Sequence, residues 1–137
     1  MRKIELFTVS GTKVGEFLSL EQMKNILKEL DFTEELDLST IKTEIQKQLL
    51  QVEKQRLNKI LDSYSYISLA DVQFYTSQND PEAQSILSWY SSYDDLIWQY
   101  IDNDLQNITN LDDLLALDIK AVEKQIFDTS IQTAPLP

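Results

Sequence analysis

One long apolar stripe constrains this chain more than any other feature. From Ser39 or Thr40 to about Asp62, the residues Ile41, Ile45, Leu49, Val52 and Ile60 recur on one side of a helical wheel. Leu50, Leu57 and Leu61 widen the C-terminal half of that stripe. At about 1.5 Å per residue the helix would be roughly 35 Å long, nearly the width of a domain of this size, so the other elements must pack along it. The favoured spacing is 11 residues (Ile41 to Val52, Leu49 to Ile60, Leu50 to Leu61). Gln48 and Gln55 stand where a heptad would place apolar side chains. A left-handed coiled coil is therefore disfavoured, and a helix inside a bundle fits better.

Start and stop signals place the remaining elements. Residues 2–18 read as a β-hairpin, with Ile4, Leu6 and Val9 outbound, Ser10-Gly11-Thr12 at the turn and Val14 to Leu18 returning, although Phe7 breaks the alternation. Ser19 with Gln22 forms a capping box for a short amphipathic helix over 20–30. After a break near 31–37 comes the long helix. Ser68 with Asp71 predicts a helix over 69–77, and Asn79-Asp80-Pro81-Glu82 is a strong start for another. The apolar residues of that second helix cover about 200° of its circumference, which predicts burial on two sides. Ser91 to Asp95 offers a capping box in its middle, expected to kink or divide it. Asn110 with Asp113 predicts a last helix over about 111–127. Only 2 Gly and 3 Pro interrupt the chain. The expectation is a mainly α protein, a small helical bundle with one long helix and an N-terminal β-hairpin. Residues 1–18 form the hairpin, packed on the bundle or exchanged with a partner, 19–128 the helical domain, and 129–137 a loose tail.

The chain of 137 residues has no His and no Cys. Disulfides, a thiolate nucleophile and Cys-ligated metals are thereby excluded, and the commonest general base is missing. A carboxylate dyad alone could cleave a glycosidic bond, but each carboxylate here has a structural role at hand. Asp102-Asn103-Asp104 superficially resembles a calcium loop, yet Asn107 and Asp113 occupy the positions where that loop needs Gly and Glu. No Gly-rich phosphate loop or nucleophile elbow occurs. The chain reads as a non-enzyme with no cofactor and no metal.

Lys plus Arg number 12 and Asp plus Glu 23, for a net charge of −11. Residues 1–64 carry 10 basic and 11 acidic side chains, whereas residues 65–137 carry 2 and 12. Between Lys59 and Lys120 there is no cation at all. Such a surface disfavours nucleic acid and anionic membranes as partners and permits a basic protein surface or a metal ion bound by oxygen ligands, while a solvated face that keeps the chain soluble accounts for it as well. Glu5 interrupts any signal-like apolar region, and no run approaches the roughly 20 apolar residues of a membrane span. The expectation is a soluble protein.

Nine of the 13 aromatics lie between residues 64 and 100. On the helical wheel Ala83, Leu87, Tyr90, Ile97, Trp98 and Ile101 form a main stripe, predicted to be core. Trp89, Tyr93, Leu96 and Tyr100 form a second face, predicted to bind a protein partner. Asp94 falls inside the main stripe, and Arg56 occupies the matching place in the long helix between Val52 and Ile60. The two could meet as a buried bidentate pair that fixes register.

The stretch from Ala70 to Asp102, with Glu82-Ala83, then Trp89, then Trp98, resembles a segment of small bacteriophage tail-associated proteins. The long charged helix before it is similar as well. The resemblance covers about a quarter of the chain. It implies a virion component or a tail or fibre assembly factor, working in the host cytoplasm or the virion. Its partner would be another virion or tail component, or a further copy of itself. The alternative is an acidic inhibitor that imitates nucleic acid in a groove of a host or phage protein. That reading needs the carboxylates from Asp94 to Asp118 in a line on one surface.

Overall fold

The structure, a computed structural model, describes residues 3–29 and 35–137. Strands β1 (Ile4–Phe7) and β2 (Lys13–Phe17) pair antiparallel, Ile4 opposite Phe17 and Leu6 opposite Gly15. The register slips between Leu6 and Phe7, the point where the sequence alternation fails. Gly11 turns the hairpin at φ 92°, a conformation that costs glycine nothing. Among the described residues six helices follow: α1 (Leu20–Leu27), α2 (Ser39–Ser63), α3 (Leu69–Ser77), α4 (Pro81–Gln99), α5 (Leu111–Leu115) and α6 (Ile119–Thr133). A π-helical turn over Tyr100–Asp104 extends α4. The protein is mainly α with an N-terminal hairpin, as its sequence pattern predicts.

Local chemistry sets most of the boundaries. Ser19 Oγ accepts from Gln22 N, and the Gln22 side chain accepts in return from Leu18 N. Ser68, Asp80 and Asn110 cap α3, α4 and α5 in the same manner. The start of α2 is capped from one residue further out, where Asp37 accepts from both the amide and the hydroxyl of Ser39. The ends of α2 and α3 are alike. Ser65 and Asn79 adopt φ 63° and 62°, and the next amides (Tyr66, Asp80) reach back five residues to Leu61 and Tyr75. Both ends are Schellman turns with a non-glycine residue in the left-handed position, and together they fix the orientation of α3. The expected end of α1 at Leu30 and part of the break over 31–37 lie outside the described residues.

Three clusters make up the core. The hairpin packs on its own chain, with Ile4, Leu6 and Phe17 buried against Leu20, Met23, Ile41, Ile45, Leu105 and Leu114. Leu49 of α2 meets Trp89, Tyr93 and Ile97 of α4, with Val122 and Ile126 of α6 against them. At the far end Leu61, Tyr66, Val72, Ala83 and Ile86 join α2, α3 and α4.

Three boundaries depart from expectation. Helix α4 runs unbroken through Ser91–Asp95, because Trp89, Tyr93 and Ile97 are buried around that stretch and packing outweighs local competition from the serines. The helix expected over 111–127 is two helices. Leu114 and Leu115 enter the hairpin-side cluster while Val122 and Ile126 enter the central one, so the chain must turn between them. Asp118 caps the restart through Ala121 N, and Lys24 Nζ donates to the freed carbonyl of Leu117 at 2.9 Å. The tail expected to be loose from 129 is helical to Thr133. Ser130 is fully buried, Leu136 packs on two clusters and Tyr64 Oη donates to Pro137 O at 2.6 Å.

Candidate interaction surface

Helix α4 is flanked by α3, α6 and α2, so its burial is decided by three neighbours at once. Its buried stripe is Ala83, Ile86, Trp89, Tyr93 and Ile97. This overturns the expected division of the helix. Trp89 and Tyr93, predicted to meet a partner, are wholly inside the chain. Trp98, predicted to be core, is 39% exposed on an outer stripe with Asp95 and Asp102. Leu96 and Tyr100, the other half of the predicted face, line a groove against Val122, Ile126 and Thr129 of α6.

The polar partners of α6 explain why the aromatics turn inward. Trp89 Nε1 donates to Ser130 Oγ at 2.9 Å, and Ser130 donates to Phe127 O. Tyr93 Oη donates to Glu123 Oε2 at 2.7 Å. The Trp89 and Tyr93 rings stack 5.2 Å apart, and both meet Phe127 edge-on. Buried Tyr and Trp need a hydrogen-bond acceptor, and α6 supplies one to each.

Arg56 completes this cluster. Its Nε and Nη2 donate to the two oxygens of Glu123 at 3.0 and 2.7 Å, and its Cζ lies 4.1 Å from the Phe127 ring centre. A buried bidentate pair is present, as its position in the stripe predicts, but its carboxylate is Glu123 and not Asp94. Asp94 faces Glu53 instead. Glu53 is buried with Oε2 unpartnered, and burial first, then a hydrogen bond shared with Asp94, pushes its carboxyl up to about 8. At neutral pH the Glu53 carboxyl is therefore held mainly in its protonated form. Burial and the Glu123 hydrogen bond likewise raise Tyr93. Glu123 and Ser130 had a sequence signal: they share a helical face with Ile119 and Ile126 at spacings of 4, 3 and 4 residues.

Helix α3 shows the opposite arrangement. Leu69, Ala70, Val72, Phe74 and Tyr75 are spread around it, with Asp71, Gln73, Thr76 and Ser77 between them, yet Val72 is its one buried residue. Ile67, just before it, is 92% exposed, Phe74 58% and Tyr75 41%. Ala70 and Phe74, four residues apart, share an exposed face of the helix. The rings form a ladder from inside to outside, Tyr66 edge-on to Tyr75 at 5.9 Å and Tyr75 edge-on to Phe74 at 5.3 Å. At its inner end Tyr66 Oη donates to Glu82 Oε1 at 3.2 Å. Burial, then that bond and the charges of Asp80, Glu82 and Asp71, push the phenol up to about 12. Three carboxylates thus lie around the inner end of the ladder.

Among the described residues no group of three or more carboxylates is placed to hold a metal ion, and no helix is long and apolar enough to cross a membrane. No family model, curated protein or solved structure matches this chain.

Proposed function

We propose that this chain works without catalysis, through protein–protein contacts made by the α3 face. The observation that carries the reading is α3 itself, whose one buried residue is Val72 while Phe74 and Tyr75 stand exposed and in ring contact, with Ile67 exposed just before the helix. Large contiguous apolar surface is where partners dock, and aromatics dominate such contacts. The resemblance over Ala70–Asp102 lies across α3 and α4, and it makes a virion or tail-assembly component the role we favour. The nucleic-acid mimic is the weaker reading. Asp94 faces Glu53, so one carboxylate leaves the line that mimicry requires.

The test is photo-crosslinking in native or infected lysate, with benzoylphenylalanine in place of Phe74 or, as a control, of Ser91 on the outer side of α4. A discrete partner crosslinked from position 74 and not from 91 supports the reading. Crosslinks from 91 alone, or from neither, contradict it. High salt separates the alternative, because mimicry weakens steeply with ionic strength and an apolar contact does not.

A further inference from the structure

The α3 face has the components of the internal aromatic cluster with one missing. Inside, aromatic rings and a carboxylate are joined by a guanidinium, with Arg56 over Phe127 and against Glu123. Outside, the Tyr66–Tyr75–Phe74 ladder has Asp71, Asp80 and Glu82 around its inner end at Tyr66, and none of these carboxylates forms an ion pair among the described residues. The chain offers no cation of its own from residue 60 to 119.

We infer that the occupant of the α3 face is an apolar segment of a partner protein that carries Arg or Lys, its cation seated on the Phe74 and Tyr75 rings beside Asp71 and Glu82. The inference rests on the α3 face being the docking surface, and it adds the partner's chemistry. Exposed aromatic faces attract cations through the ring quadrupole, and the carboxylates at the inner end of the ladder, free of ion pairs, add steering and selectivity. A second copy of this chain is a poor occupant. Its own residues 65–137 hold 12 carboxylates against 2 lysines, so like charges would meet.

The experiment uses the whole isotope-labelled chain and one synthetic amphipathic helix with a leucine stripe, made in three versions whose polar face bears Arg, citrulline or Glu. Binding is followed by amide chemical-shift changes at low salt. The Arg version is expected to shift residues 66–82, to bind about tenfold tighter than the citrulline version, and to outbind the Glu version by more. Phe74→Ser, at an exposed position, should weaken the Arg version about fivefold or more while the spectrum elsewhere stays native. Equal binding of the Arg and citrulline versions at 66–82 overturns the cation inference and leaves docking at α3 standing. If no version shifts 66–82, or if the Arg version acts only along Asp95–Asp102, both the inference and the α3 reading fall.

Discussion

Trp89, Tyr93 and Phe127 form one aromatic cluster, Tyr66, Tyr75 and Phe74 another, and the two lie in opposite environments. Rings of the first are enclosed by α2, α4 and α6, with Ser130, Glu123 and Arg56 answering their polar atoms. The second runs outward from α2 along α3 to solvent, with carboxylates at its inner end and, among the described residues, no cation paired with them. Aromatic content alone does not separate a core from a contact surface. What separates them is whether another element of the same chain supplies the complementary polar groups. For the first cluster α6 supplies them; in the second α4 answers Tyr66 alone, through Glu82, and Phe74 and Tyr75 stay exposed.

The largest expected effect is inside. Trp89→Ala removes a fully buried indole and strands Ser130, and should cost about 3–5 kcal/mol of unfolding free energy in urea. A loss below about 1 kcal/mol would place Trp89 at the surface and dissolve the contrast. Arg56→Met should cost about 2–3 kcal/mol, less than a fully enclosed pair because the Arg56 side chain is 23% exposed. Most of that cost is the Glu123 carboxylate left buried without its partner. Adding Glu123→Gln should therefore restore a good part of it, and a double variant weaker than the sum of both singles would contradict the pairing.

The internal cluster also carries a pH dependence with a definite sign. Glu53 is held at about 8 in the folded chain against an ordinary value of 4.5. It faces Asp94, Tyr90 and Tyr93 of α4 and Glu123 of α6, with Arg56 on its own helix already bound to Glu123. Over this interval the folded chain keeps a proton that the unfolded chain releases. Its contribution is full below pH 4.5, declines as the pH rises, and is lost once the pH passes about 8. Wild-type stability should drop by about 2 kcal/mol across that window, and Glu53→Gln should flatten the profile. A wild-type profile already flat from pH 5 to about 9 would show that Glu53 is not enclosed with like charges.

Much of the fold was legible because much of it is local. The caps at Ser19, Ser68, Asp80 and Asn110 each involve side chains within four residues, and all four stand where the sequence puts them. The long stripe of α2 was equally readable. The face of α4 was not. Its apolar residues cover too much of the circumference for a wheel to decide, and the deciding groups, Glu123 and Ser130, sit on a helix whose start at Ile119 was hidden inside a longer helical pattern. Arg56 was recognisable as a misplaced charge in an apolar stripe, and Asp94 was chosen for it because the burial of Glu123 depends on that same unread helix. The α3 face was missed for a different reason. Phe74 and Tyr75 look like core residues in sequence, and only the arrangement of neighbouring helices leaves them uncovered.

The smallest expected effect is the most telling. The account requires that the α3 face contribute little to folding, since its large side chains already lie in water. The direct measurement is the urea unfolding free energy of the double variant Ile67→Ser/Phe74→Ser beside wild type. A difference within about 0.5 kcal/mol is the predicted result, the value usual for surface positions. A loss of more than about 2 kcal/mol would show that these side chains are part of the core, and that the face is not free to receive a partner.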